Sequence, residues 1–146
     1  MPGRTAFFDA SAVVPLCVAQ PSSQRARQAY RTFKTQVVGP TTMVEAASAV
    51  YRAVRLGELA IAGATNAVGR LAQLYERWIE IEFTDRVQEV AIDALSHYDL
   101  RAGHAIQLAS ALLWCKERPR NRPFVCFDKI LSAAALEAGF DVIGLP

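Results

Sequence analysis

No stretch of this chain is long and apolar enough to read as a membrane span. The greasiest segment, Ala105 to Cys115, is broken by Gln107 and Ser110 and falls short of the ~20 residues a span needs. The opening, Met1-Pro2-Gly3-Arg4-Thr5-Ala6-Phe7-Phe8-Asp9, lacks the apolar core of a secretory signal. Cysteine is scarce: Cys17, Cys115 and Cys126, none of them in a CxxC pair. An odd number without redox or metal spacing argues against a disulfide scaffold and for a reducing compartment. Cys115 and Cys126 lie in apolar segments and read as core thiols. The expectation is a soluble, cytoplasmic protein that does not contact a membrane.

Signature motifs are missing too. There is no GxSxG elbow, no P-loop and no GxGxxG fingerprint, which removes the usual marks of serine hydrolases and nucleotide-binding folds. His97 and His104 are seven residues apart and form no HExxH pair, which argues against a zinc protease. A net charge of +2 does not announce a nucleic-acid binder; only local clustering of charge can. No internal repeat or low-complexity tract is visible. With 146 residues, 52% of them hydrophobic, the chain reads as one domain, residues 1–146, able to bury a single core.

What the chain does have is two apolar runs that each end on an aspartate and give way to a helical pattern. They are Thr5-Ala6-Phe7-Phe8-Asp9 and Phe124-Val125-Cys126-Phe127-Asp128. Between them the pattern predicts a helix from Asp9 to about Val18, with Pro15 near its first turn. A helix at Gln24–Phe33 and a strand at Gln36–Val38 follow. Helices are then expected over Met43–Leu56 and Ile61–Trp78, a half-wet strand over Ile79–Phe83, and a helix over Asp85–His97. His104–Lys116 is apolar on every side and so predicts a buried helix. The last elements are helix Ile130–Ala138, stopped by Gly139, and strand Phe140–Ile143. Strands separated by helices imply a three-layer α/β fold around a mostly parallel sheet.

In such a sheet the two aspartates share the carboxyl edge, where open α/β folds bind ligands. Each aspartate also suits a plain helix cap. Glu45 fits the capping box Thr42-Met43-Val44-Glu45, yet it starts a helix at that same edge. Three carboxylates converging there point to a hard divalent cation, Mg²⁺ or Mn²⁺. His104 opens the buried helix, as a packed residue or as a fourth member of the site. Lys116, Arg118, Arg120, Arg122 and Lys129 surround the loop before Asp128, either as a solvated surface or as phosphate contacts beside the acids.

With these segments in hand, the whole chain resembles the PIN-domain ribonucleases, in particular VapC-type toxins of toxin–antitoxin pairs. Phe8-Asp9-Ala10-Ser11-Ala12 looks like the family's opening strand and first acid, and Thr42-Met43-Val44-Glu45-Ala46-Ala47-Ser48-Ala49 like its second. Leu100-Arg101-Ala102-Gly103-His104-Ala105-Ile106-Gln107-Leu108-Ala109 is similar to the segment carrying the third acid, and Phe127-Asp128-Lys129-Ile130-Leu131 to the last. One departure stands out: His104 occupies the place of the third aspartate, and Asp99 is five residues away.

The resemblance implies a three-layer α/β/α PIN-like domain that hydrolyses RNA at a phosphodiester. Asp9, Glu45 and Asp128 would be catalytic, and those three with His104 would hold Mg²⁺ or Mn²⁺. Arg118, Arg120, Arg122 and Lys129 would contact RNA. It also implies a VapB-type antitoxin and a homodimer, with Val13, Val14, Leu16 and Tyr51 either at the dimer contact or in the core. Imidazole in place of a carboxylate shifts metal preference away from Mg²⁺ toward Mn²⁺. The alternative is a degenerate PIN fold that binds RNA or a partner without cutting. A receiver-like or haloacid-dehalogenase-type phosphatase would want a second acid near Asp9, and Ala10-Ser11 supplies none.

Overall fold

Phe7 and Phe8 point to opposite faces of the first strand, and this alternation organises the molecule. The computed structural model describes residues 4–144; the ends of the expected 1–146 domain lie outside the described residues. The elements are β1 (Arg4–Phe8), α1 (Ala10–Val13) with a 3-10 turn (Val14–Leu16), α2 (Ser23–Thr32), β2 (Phe33–Val38), α3 (Thr42–Arg55) and α4 (Ile61–Tyr75). They continue as β3 (Ile79–Glu80), α5 (Asp85–His97), α6 (Ala102–Trp114), β4 (Pro123–Val125), α7 (Lys129–Ala138) and β5 (Asp141–Ile143).

The strands form one parallel sheet in the order β3-β2-β1-β4-β5. Phe8, Val38 and Val125 pack on one face with residues of α1 to α4. Phe7, Val37 and Phe124 pack on the other with residues of α5 to α7. The result is a three-layer α/β/α sandwich. Period-two burial is what a strand covered on both sides requires. Phe7 and Phe124 stack with ring centroids 5.2 Å apart, which ties β1 to β4. The chain builds outward from β1 in one direction through β2 and β3, and in the other through β4 and β5. The switch point of this topology therefore lies between the carboxyl ends of β1 and β4.

Several expectations need correcting. The first helix stops at Val13 and tightens into the 3-10 turn, because Pro15 has no N–H to continue an α-helical ladder. β2 begins three residues early, at Phe33, directly from the end of α2. β3 keeps only Ile79 and Glu80, both exposed, because it is an edge strand with one neighbour. Val13 and Val14 are buried and Leu16 packs against them, so they are core residues and not a dimer surface. Tyr51 remains exposed. The apolar helix expected at His104–Lys116 runs Ala102–Trp114, and none of its residues from Gly103 to Trp114 is exposed. No described helix is long and apolar enough to cross a membrane.

Candidate active site

Asp9 is the first residue after β1. Its N–H donates to Val125 O at 3.0 Å, which carries the β1–β4 ladder one step past the strand. Its Oδ2 accepts from Ser11 N at 3.0 Å and faces the Cys126 thiol at 3.7 Å. Its other oxygen, Oδ1, is buried without a hydrogen-bond partner. Asp128 repeats the pattern at the head of α7: Oδ1 accepts from Leu131 N at 2.9 Å, and Oδ2 lies 3.5 Å from His104 Nε2. Both aspartates are therefore helix caps and site residues at once. Each spends one oxygen on its helix; the second oxygen of Asp128 faces His104, and that of Asp9 is buried and unpartnered.

Glu45 does not make the capping box that its spacing suggests. Thr42 N donates to Gly39 O instead, and Thr42 Oγ1 accepts from Gly39 N. Glu45 Oε1 accepts from Thr41 Oγ1 at 2.5 Å and from Gln107 Nε2 at 3.3 Å. Burial raises the Glu45 carboxyl above its ordinary 4.5. The Thr41 hydrogen bond opposes that rise, and the nearby Asp9 charge adds to it. Asp9, Glu45, His104 and Asp128 line a single cavity of about 390 Å³, with Ser11, Gln20, Ser22 and Phe127 among its other walls.

Five side chains that support the acids carry no role in the sequence pattern: Gln107, Ser11, Ser132, Cys126 and Thr41. Gln107, fully buried on α6, donates to Thr42 Oγ1 at 2.9 Å as well as to Glu45, so it locks α6 to the start of α3. A methyl group on Gly39 would collide with the Gln107 amide, which explains the glycine there. Ser11 Oγ accepts from Phe127 N at 2.9 Å, and Ser132 Oγ donates to Cys126 O at 3.2 Å. Burial, with the Asp9 charge behind it, pushes the Cys126 thiol up to about 12, so it stays protonated and can donate to Asp9. Thr41 and Ser11 stood beside the acids in sequence. Gln107 had one signal, a lone amide in a mostly apolar helix.

The basic loop is not where sequence proximity put it. Arg118, Arg120 and Arg122 precede β4 and so lie at the amino edge of the sheet, where Arg122 O accepts from Asp141 N. Five residues separate Arg122 from Asp128, and the six steps of chain span up to ~20 Å. Arg122 sits over the Trp114 ring at 5.5 Å. Lys129, which follows Asp128, is the one residue of the expected RNA-binding set beside the acids.

A cation suits this cavity by donor chemistry. A buried carboxylate oxygen with no partner is costly unless something positive meets it. Among the described residues, no group of three or more His, Cys, Asp or Glu side chains is arranged to hold a metal ion. The fit is to an ion held by one or two carboxylates with water in its remaining positions, the ordinary habit of Mg²⁺.

No protein-family model and no curated protein matches the chain. Solved structures do. VapC20 of Mycobacterium tuberculosis, a sarcin–ricin loop cleaving toxin, superposes with a TM-score of 0.64 at 17% identity, over 88% of this chain and 94% of that one. A toxin–antitoxin complex from Klebsiella pneumoniae gives 0.62 at 17% identity, over 87% and 90%. FitAcB from Neisseria gonorrhoeae gives 0.64 at 13% identity, over 94% and 96%. At these identities the likeness establishes the fold alone, a three-layer, PIN-like α/β/α domain.

Proposed function

We propose that this chain is a metal-dependent endoribonuclease toxin that cuts RNA phosphodiester bonds and is silenced by a cognate VapB-type antitoxin. One observation carries the reading: Asp9, Glu45 and Asp128, from three remote segments, share one cavity at the switch point of the sheet. The likeness to VapC20, a sarcin–ricin loop cleaving toxin, supports it.

Asp9 and Asp128 would hold Mg²⁺ or Mn²⁺ through the oxygens not used for capping, with Glu45 and His104 at its margin. A bound divalent ion supplies Lewis acidity toward water and the phosphoryl oxygens. Glu45 is the candidate base. Both of its hydrogen bonds go to Oε1, which leaves Oε2 to accept a proton, and its raised pKa brings it closer to the working pH. Lys129 would meet a phosphate beside the acids. Arg118, Arg120 and Arg122 would touch only substrate remote from the scissile bond. An antitoxin arginine would pair with Asp9 or Asp128. Tyr51, with Val44 two turns before it on α3, is the remaining candidate for a homodimer contact; both are exposed. The setting would be the cytoplasm.

A second reading, a PIN fold that binds RNA without cutting it, is favoured by the His104–Asp128 contact, which occupies the free oxygen of Asp128. Incubating purified protein with single-stranded RNA in Mg²⁺ and in Mn²⁺, beside Asp9→Ala, separates the two. Cleavage that disappears in the variant supports the nuclease. Tight binding with no cleavage in either metal supports the binding module.

A further inference from the structure

We infer that the acidic cavity continues into a second subsite, a groove along α2 that holds the single-stranded RNA flanking the scissile phosphate. This rests on the ribonuclease reading above. The groove encloses about 340 Å³ and is lined by Arg4, Arg25, Gln28, Thr32, Phe33 and Phe127, among others. Phe127 is a wall of both cavities. The chain leading into α2 joins them as well: Gln20 and Ser22 face the acids, and Arg25, Gln28 and Thr32 then line the groove. One helix thus draws a path of ~15 Å from the carboxylates across the sheet.

The chemistry of that path alternates rings with planar cations. The Arg25 guanidinium lies 5.0 Å from the centre of the Phe127 ring and donates to Gly144 O. Arg4 lies 4.9 Å over Phe33. No carboxylate is among the described residues that line the groove, and α2 itself carries Arg25, Arg27 and Arg31 with no acid. Aromatic rings and guanidinium planes stack on bases whatever the sequence, and guanidinium forks also match phosphate oxygens. Phe33 is a core residue beneath Arg4, so Phe127 is the ring the groove offers. Because it also walls the acidic cavity, a nucleotide beside the scissile phosphate fits it better than an acidic peptide. The strand therefore crosses Phe127, stacks there against Arg25, and runs on toward Arg4.

The test is fluorescence anisotropy of a labelled single-stranded RNA of about 12 nucleotides, with wild type in EDTA so that nothing is cut, over a range of salt. Arg25→Ala is expected to bind roughly ten-fold more weakly, with a salt slope reduced by about 0.7, the value for one phosphate contact on a single strand. Arg25→Lys should keep the slope and still lose affinity, because a point charge does not stack. Arg77→Ala, at an exposed position just after α4 and outside both cavities, should match wild type. Unchanged melting curves confirm that the variants are folded. If wild type binds and Arg25→Ala binds with the same affinity and slope, the groove is overturned while the nuclease reading stands. If wild type binds no RNA, both fall together. If Arg25→Ala keeps its RNA affinity but loses that for a labelled glutamate-rich peptide, the groove belongs to an acidic protein partner and the RNA assignment is overturned.

Discussion

Asp128 does two jobs with two different oxygens, so substitution can separate them. Oδ1 accepts from Leu131 N and caps α7, while Oδ2 faces His104. Serine is also a good cap, so Asp128→Ser keeps the first job and loses the second, whereas Asp128→Ala loses both. An N-cap contributes ~1 kcal/mol, within a range of about 0.5–2. The half-exposed contact with His104 adds no more than ~1 kcal/mol. α7 cannot fray in isolation, because Leu131, Ser132, Ala134 and Ala135 are buried beneath it; the lost cap should appear in global unfolding. Asp128→Ala should therefore unfold about 1–2 kcal/mol below wild type in urea, and Asp128→Ser within ~1 kcal/mol of it. At this chain length 1 kcal/mol moves the melting temperature by about 2–4 °C. Circular dichroism in EDTA measures the stabilities, and an RNA cleavage assay reads the second job, which both variants should fail. A serine variant as unstable as the alanine one would show that the Leu131 bond does not stabilise the helix. A serine variant that still cuts would remove the carboxylate from the chemistry.

Three further outcomes follow from the same geometry. Mn²⁺ should raise the melting temperature of wild type, by the equivalent of ~2.7 kcal/mol at a hundred times its dissociation constant, and Asp9→Asn should abolish that rise; an equal rise in the variant would place the ion elsewhere. The raised Glu45 pKa means the folded state holds this proton more tightly than the unfolded one. That stabilisation is complete below about 4.5, the ordinary value, and is lost as pH climbs through the folded pKa. Without metal, the stability of Glu45→Gln relative to wild type should therefore increase with pH from that point upward, as read by urea titrations at two pH values; a difference that does not change with pH would refute it. Phe124→Ala removes a fully buried ring stacked on Phe7 and should destabilise by ~3–5 kcal/mol; a loss under ~1 kcal/mol in urea would contradict the packing described.

What was legible in the sequence were elements whose ends carry a chemical mark. α5 runs Asp85–His97 as expected, because Thr84 announces it and its hydroxyl accepts from Val87 N. The start of β2 is hidden because no glycine or proline marks the passage from α2: Phe33 closes the helix and opens the strand in one step, at φ −100° and ψ 103°. The acids were legible for a similar reason, each standing where a strand or loop yields to a helix. Their supports were not. Gln107 reaches Glu45 across 62 positions and Cys126 reaches Asp9 across 117, and no local pattern encodes such distances. The basic loop misled in the opposite way. Neighbours in sequence, Arg122 and Asp128 are kept apart by β4, because a strand carries the chain from one edge of the sheet to the other.

His104 is where the chain departs most from the pattern it resembles, and its surroundings say what the exchange does. An imidazole 3.5 Å from Asp128 Oδ2 adds no negative charge to a cavity that already holds Asp9 and Glu45. His104→Asp would add one. Like charges at ~4 Å repel by about 4 kcal/mol at an effective dielectric of 20. The exposure of these side chains, 25% for His104 and 35% for Asp128, screens this toward ~1 kcal/mol. In EDTA the variant should therefore melt about 2–4 °C below wild type or lower. Mg²⁺ should do more for the variant than for wild type, because a hard ion meets an oxygen donor in place of nitrogen. The readouts are the melting temperature with and without Mg²⁺ and RNA cleavage in the same buffers. A variant that melts with wild type in EDTA and gains no more from Mg²⁺ would show that position 104 does not face the charges of the site. The low charge of the cavity would then need a different cause.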